Sequence, residues 1–140
     1  MTQIPHTARL ASSLAALVVA LAAGPAFAGD VMLSGASEVP PVNTAAAGTG
    51  TITVAGDGSV TGSVKTTGLK GTMAHIHRAA AGKNGPVLIP LTAGADGEWL
   101  VPAGAKLDAD GVKAYQAGEL YVNVHSDANK GGEIRAQLKP

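Results

Sequence analysis

Three histidines are the residues of this sequence whose type and spacing could support chemistry. His75 and His77 lie two positions apart, and His125 follows much later in the chain. Side chains two apart on a β-strand project from the same face, so one strand would present His75 and His77 together. Three neutral imidazoles with an open position suit copper, or zinc as the second choice. If the strand carrying His125 lies beside that strand, we expect the three to form one metal site.

The neighbours of these histidines follow a clear alternation of polar and apolar residues. In the segment Met73–His77, the odd-numbered residues share one face of the predicted strand. On the later strand, Tyr121 and Asn123 share a face with His125, so all three histidines are expected to point outward from the core. A copper ion could also recruit Met73, because a thioether is a soft ligand that suits the cuprous state.

The alternative interpretation of the histidines is structural. They would then be solvent-facing side chains, hydrogen-bonded to neighbouring loops and without a metal. The His-X-His spacing of His75 and His77 fits ligand geometry but is not specific for it. A third histidine, with no others in the predicted exported chain, strengthens the metal-site interpretation.

Residues 1–28 have the features of a secretory signal peptide. Arg9 precedes an apolar segment at residues 10–23, and Ala26-Phe27-Ala28 places small residues at both positions that a signal peptidase reads. We expect cleavage after Ala28, which would also remove His6, and a periplasmic or secreted protein. The apolar segment is too short and too rich in alanine to predict a membrane span, so we expect no membrane association after cleavage.

Composition restricts what the rest of the chain can do. Residues 29–140 suffice for one small domain. The whole chain has ten Lys and Arg against ten Asp and Glu, and removal of Arg9 with the signal peptide leaves nine against ten, so there is no electrostatic case for a nucleic-acid partner. The absence of cysteine excludes disulfides, thiolate metal sites and cysteine nucleophiles. We expect a monomer; a protein partner is possible, but no feature identifies one.

Short alternating segments separated by Gly, Pro, Asp and Asn predict an all-β domain. Residues 108–117 alone have helical character, with an acidic start and Gly118 as a stop signal. About eight strands of this kind suit a two-sheet β-sandwich. The predicted strands are residues 30–35, 49–55, 59–66, 72–78, 86–91, 97–101, 119–125 and 133–138.

The remaining polar residues give no catalytic constellation. Glu133 and Arg135 lie two apart on a predicted strand and are interpreted as an exposed ion pair, or as residues that orient a histidine. Ser126 and Asp127 are interpreted as turn residues, because adjacent residues at a strand end point apart and no nucleophile elbow is present. Trp99 is expected to pack in the core or at a sheet edge. We therefore expect no enzymatic activity.

Five segments in a fixed order resemble the CHRD domain, which is common in exported bacterial proteins. This resemblance implies a Greek-key β-sandwich of immunoglobulin-like or superoxide-dismutase-like character, but little about biochemistry. The family pattern includes the His-X-His pair and an Asn-X-His segment, which correspond here to His75, His77, Asn123 and His125. The five segments are Leu33–Pro41, Ala74–His77, Gly85–Val87, Leu120–Ser126 and Gly132–Leu138.

Two functions follow as hypotheses. The first is an exported, non-catalytic metal-binding module, with copper held by the three histidines. The second is a structural, adhesion or protein-interaction domain that binds no metal. Superoxide dismutase activity with two metals is not expected, because that chemistry needs about six histidines and the exported chain would have three.

Overall fold

The computed structural model describes residues 26–140. Most of the predicted signal peptide, residues 1–25, lies outside the described residues. The first strand begins at Ala26, so cleavage after Ala28 would leave its remaining residues, from Gly29 onward, still paired to the next strand. Among residues 26–140, no helix is long and apolar enough to cross a membrane.

The described chain is almost entirely β-structure, as predicted. It contains nine strands where about eight were expected, and the additional one is the two-residue strand β6. The single α-helix, α1 (Ala109–Gln116), lies where helical character was predicted, and a 3-10 turn spans Gly35–Ser37. The strands are β1 (Ala26–Ser34), β2 (Ala47–Ala55), β3 (Val60–Thr67), β4 (Gly71–Arg78), β5 (Val87–Pro90), β6 (Thr92–Ala93), β7 (Glu98–Leu100), β8 (Leu120–Ser126) and β9 (Ile134–Leu138).

All strand pairs within residues 26–140 are antiparallel, and they form one sheet in the order β5-β4-β8-β9-β1-β2-β3-β7-β6. The strands at the two ends of this order, β5 and β6, are separated in the chain by Leu91 alone. The Leu91 amide also donates to the carbonyl oxygen of Ala74 in β4. The sheet is therefore curled and nearly closed. The two layers expected for a β-sandwich are connected by hydrogen bonds within this one sheet.

One apolar core fills the inside of the curled sheet. Opposite walls meet there: a Cβ added to Gly71 of β4 would lie only 2.8 Å from the Trp99 ring of β7. Trp99 is buried in this core, which confirms its predicted packing role. Helix α1 adds Ala114 and Tyr115 to the core, and its start is capped by the Asp108 carboxylate, which accepts from the Gly111 amide.

The outer face of β4, β8 and β9 is not the exposed surface that the alternation suggests. Every residue of β8 is buried, including Tyr121 and Asn123. The loop between β4 and β5 folds back over this face: Asn84 donates to the Val39 carbonyl, and Gln137 of β9 donates to the Ala79 carbonyl. The row lies on the outer face, as predicted, but the solvent exposure assumed in the structural interpretation of the histidines is not found, because polar side chains here bond to loop backbone instead of water.

The same cover corrects the interpretation of Glu133 and Arg135 as an exposed ion pair. Both side chains are buried, Arg135 with only 1% of its surface exposed. The Arg135 guanidinium donates to the carbonyl oxygen of Lys83 at 2.8 Å and to the side-chain oxygen of Asn84 at 3.2 Å. Glu133 instead accepts a 2.7 Å hydrogen bond from Thr44. The two charges therefore serve separate networks.

Candidate metal centre

The pairing of β4 with β8 brings the three histidines together. Their register sets Met73 opposite His125 and His77 opposite Tyr121. One nitrogen from each of His75, His77 and His125 lies within 4.8 Å of the others. The prediction that the three side chains converge if their strands are neighbours is confirmed.

Two of the three imidazoles are anchored by backbone carbonyl groups. His77 Nδ1 lies 2.9 Å from the carbonyl oxygen of Gly85, and His125 Nδ1 lies 2.9 Å from that of Lys130. Because a carbonyl oxygen can only accept, the proton of each neutral ring must be on Nδ1. The lone pair of each ring is then on Nε2. This is the arrangement in which an outer hydrogen bond orients a metal-binding histidine.

The Nε2 atom of His77 is buried, and within residues 26–140 no group lies at hydrogen-bonding distance from it, although the Asn123 side chain is near enough to raise the pKa of His77. Only 8% of the His77 surface is exposed, so water does not readily satisfy this lone pair. An unpaired buried polar atom costs about 1–3 kcal/mol, and such atoms in native structures call for an explanation. A metal ion bound at Nε2 would supply the missing interaction.

His75 completes the cluster from its more open side. It is half-buried, and its Nδ1 lies 3.0 Å from the Nε2 of His125. Since His125 Nε2 carries a lone pair, His75 Nδ1 donates this hydrogen bond. Tetrahedral coordination with bonds of about 2.0–2.1 Å places ligand nitrogens about 3.3 Å apart. His75 and His125 are already close to that separation. The third nitrogen lies within 4.8 Å of the other two, so it would have to move closer by up to about 1.5 Å to reach the tetrahedral spacing.

A stack of planar groups fixes the ring of His77. The His77 ring lies parallel to that of Tyr121, with centroids 4.7 Å apart and an angle of 3° between the planes. The Arg135 guanidinium carbon lies 3.3 Å from the centre of the Tyr121 ring. The three groups come from the neighbouring strands β4, β8 and β9. Cation–π and ring-stacking contacts therefore hold His77 in one orientation.

Burial also sets the protonation state of the cluster. It lowers the pKa of His75, and the neighbouring His125 and His77 lower it further. Burial likewise lowers the pKa of His77, opposed by the hydrogen bond to the Gly85 carbonyl. Both rings are thus neutral at pH 7, which is the form that binds metal.

Glu133 does not orient a histidine, contrary to one interpretation of the sequence. Its carboxylate accepts from the hydroxyl of Ser126 and from that of Thr44, and these bonds lower the pKa of Glu133. Ser126 also caps the turn that leads to β9, since its backbone and side-chain oxygens both accept from the Asn129 amide. The turn role of Ser126 is confirmed, and the network braces the loop that carries Lys130.

Sequence reasoning did not identify the groups that support the site. The carbonyl groups of Gly85 and Lys130 have no signature in a sequence, because any residue supplies one. The stacking of Tyr121 and Arg135 depends on which strands are neighbours. Two signals were available: the odd-numbered row in β8 places Tyr121 on the histidine face, and Arg135 was one of the residues interpreted as orienting a histidine.

Comparison with known proteins gives one informative match. The family model for the CHRD domain matches residues 30–138, nearly all of the described chain. No significant match was found among curated proteins or among solved structures. The matched region includes every strand from β2 to β9 and all three histidines of the cluster. The chain belongs to the CHRD domain family.

Proposed function

We propose that this protein is a metal-binding module that holds one copper ion, with zinc as the second choice, through His75, His77 and His125. The observation that carries the proposal is the preorganised pair of Nε2 atoms on His77 and His125. Each is oriented by a carbonyl group on the other side of its ring, and that of His77 is buried without a partner. Rigid, desolvated donors of this kind favour binding of an ion.

The donor set argues for a transition metal. Neutral imidazoles suit copper and zinc, whereas calcium and magnesium require oxygen ligands. The cluster contains three histidines and no carboxylate. The chain has no cysteine, so no thiolate competes for the ion. Three protein ligands leave a fourth coordination position on the ion for a further ligand.

We propose a role in holding or delivering the ion rather than in catalysis. The groove beside the site, with a volume of about 500 Å³, is lined by Glu38, Val39 and Arg135 and by none of the three histidines. A substrate bound in that groove would thus not contact the proposed metal directly. The predicted signal peptide supports a role in the periplasm or outside the cell.

The alternative, a protein-interaction domain without metal, has weaker support. Its requirements are an open sheet edge or a contiguous apolar patch. The strands at the two ends of the sheet order are β5, with four residues and a terminal Pro90, and β6, with two residues. Short edge strands and proline oppose pairing with another chain. The exposed large apolar side chains of the described residues are spread over four strands, and they are Met32, Met73, Val87, Leu88 and Leu100.

A metal titration of the purified protein tests the proposal. We expect one cupric or zinc ion per chain in the native protein and loss of that binding in the His75→Ala/His77→Ala variant. Arg78→Ala serves as the matched control, because Arg78 is an exposed residue of the same strand and not part of the cluster. Equal binding by the native protein and the double variant would refute the proposal.

A further inference from the structure

We propose that Met73 supplies the fourth ligand of this site and makes it selective for the cuprous ion. This inference rests on the proposed function and names the ion for which the site is built. Met73 lies directly opposite His125 in the β4–β8 register and two residues before His75 on β4. All three side chains therefore leave the same face of the sheet.

The open side of the cluster faces Met73. His77, at the far end of the row, is covered by the Tyr121 ring and held by the Gly85 carbonyl. His75 is half-buried, and 50% of the Met73 surface is exposed. Exposure thus increases along β4 from His77 to Met73. This less covered end gives a fourth ligand room to approach, and Met73 is a donor located there.

Met73 can reach the ion without disturbing the core. Residues directly opposite in an antiparallel pair have Cβ atoms about 4.5–5.5 Å apart. Methionine has three rotatable side-chain bonds, and its sulfur adapts to irregular geometry. Since Met73 is half exposed and lies outside the buried apolar cluster, moving its thioether toward His125 costs no core packing.

The charge of the surroundings favours a monovalent ion. Three imidazoles and one thioether are all neutral, so no ligand compensates the charge of the metal. The Arg135 guanidinium stacks on Tyr121, and its positive charge, partly offset by the Glu38 carboxylate, lowers the pKa of His77. The cost of burying an ion rises steeply with its charge, so a divalent ion is penalised more than a monovalent one. Thioether sulfur is also a ligand that selects the cuprous ion.

Competition with a cuprous chelator tests this inference under anaerobic, reducing conditions. We expect Met73→Leu to weaken cuprous binding by at least about tenfold, equivalent to ~1.4 kcal/mol. Zinc binding should stay unchanged, because the three histidines remain. Met32→Leu is the matched control. Met32 is 78% exposed on β1, and its replacement should change the affinity for neither the cuprous ion nor zinc. X-ray absorption of the cuprous protein should detect a sulfur ligand that Met73→Leu removes.

The outcomes separate the two proposals. If Met73→Leu binds cuprous ion as tightly as the native protein, or if no sulfur ligand is detected, the role of Met73 is refuted while the histidine site stands. If Met73→Leu weakens zinc and cuprous binding equally, Met73 acts on the fold and the inference is also refuted. If the native protein binds neither ion, both the inference and the proposed function fail.

Discussion

His75 Nδ1 lies 3.0 Å from His125 Nε2, and the Nδ1 of His125 donates in turn to the carbonyl oxygen of Lys130. The hydrogen that His75 donates occupies the position that a metal ion would take between the two rings. Metal binding must therefore break this hydrogen bond and free the His75 ring to turn. The site is preorganised at His77 and His125 and adjustable at His75, which is also its most exposed histidine.

Metal affinity should depend on pH in a way that the burial of the histidines determines. The pKa values of His75 and His77 are both lowered from the ordinary 6.5, and only the neutral ring binds metal. Acid should therefore begin to lower the affinity at a lower pH than it would if these two histidines had ordinary pKa values. Affinity measured from pH 5 to pH 8 checks this. A fall beginning well above pH 6.5 would contradict it.

The metal-free protein should lose stability in acid for the same reason. In the unfolded chain His75 and His77 protonate near pH 6.5, whereas in the folded chain they resist protonation until lower pH. The unfolded state then binds more protons in that interval. The contribution of these two histidines to the free energy of unfolding is therefore fully present above pH 6.5 and decreases as the pH falls. Urea unfolding at several pH values checks this, and His75→Gln/His77→Gln should flatten the dependence. An unchanged slope in that variant would contradict the explanation.

Glu133→Gln should destabilise the fold at neutral pH. The carboxylate accepts from Ser126 and Thr44, and loss of a charged acceptor costs about 1.5–3 kcal/mol per hydrogen bond. Because these bonds lower the pKa of Glu133 below 4.5, their contribution is present above that pH and is lost as the pH falls through the lowered value. Denaturant unfolding at pH 7 and at acid pH measures both effects.

The control for Glu133 is Asp127→Asn, which removes an exposed carboxylate in the same connection. We expect a change within about 0.5 kcal/mol for this variant. If Glu133→Gln lowered the free energy of unfolding at pH 7 as little as Asp127→Asn does, the buried network would not stabilise the turn.

Tyr121→Leu should weaken metal binding although Tyr121 is not a ligand. Without the ring, His77 loses its stacking partner and Arg135 its cation–π contact. Loss of a group that orients a metal ligand typically lowers affinity about 10–100-fold. Tyr121→Phe keeps the ring and removes only the hydroxyl that accepts from the Gly85 amide, so it should retain affinity. Isothermal titration of both variants measures this; equal losses would assign the effect to the hydroxyl.

The sequence predicts the elements of this fold better than their arrangement. Alternation locates the long strands and the helix near residues 108–117, because each pattern is local. The two-residue β6 is too short to leave a pattern. The pairing of β4 with β8, which creates the histidine cluster, joins segments that are far apart in the chain, and alternation carries no information about it.

Burial on the histidine face could not be predicted for a related physical reason. A polar row on an outer face normally contacts water, and alternation predicts only that Tyr121, Asn123 and His125 share that face. The loop between β4 and β5 supplies backbone acceptors to His77, Arg135 and Gln137, and this allows a polar row to be buried. The sequence predicts that the three histidines can converge, but their rigidity and desolvation required the structure.

Equilibrium dialysis with metal analysis is the most direct test of the central claim. The native protein, dialysed separately against zinc and against cuprous ion under reducing conditions, is predicted to retain one ion per chain, with the cuprous ion held more tightly. The His75→Ala/His77→Ala variant, shown to be folded by circular dichroism, is predicted to retain none, and Arg78→Ala is predicted to match the native protein. Retention of metal by the double variant at the native level, or no retention by the native protein, would contradict the account.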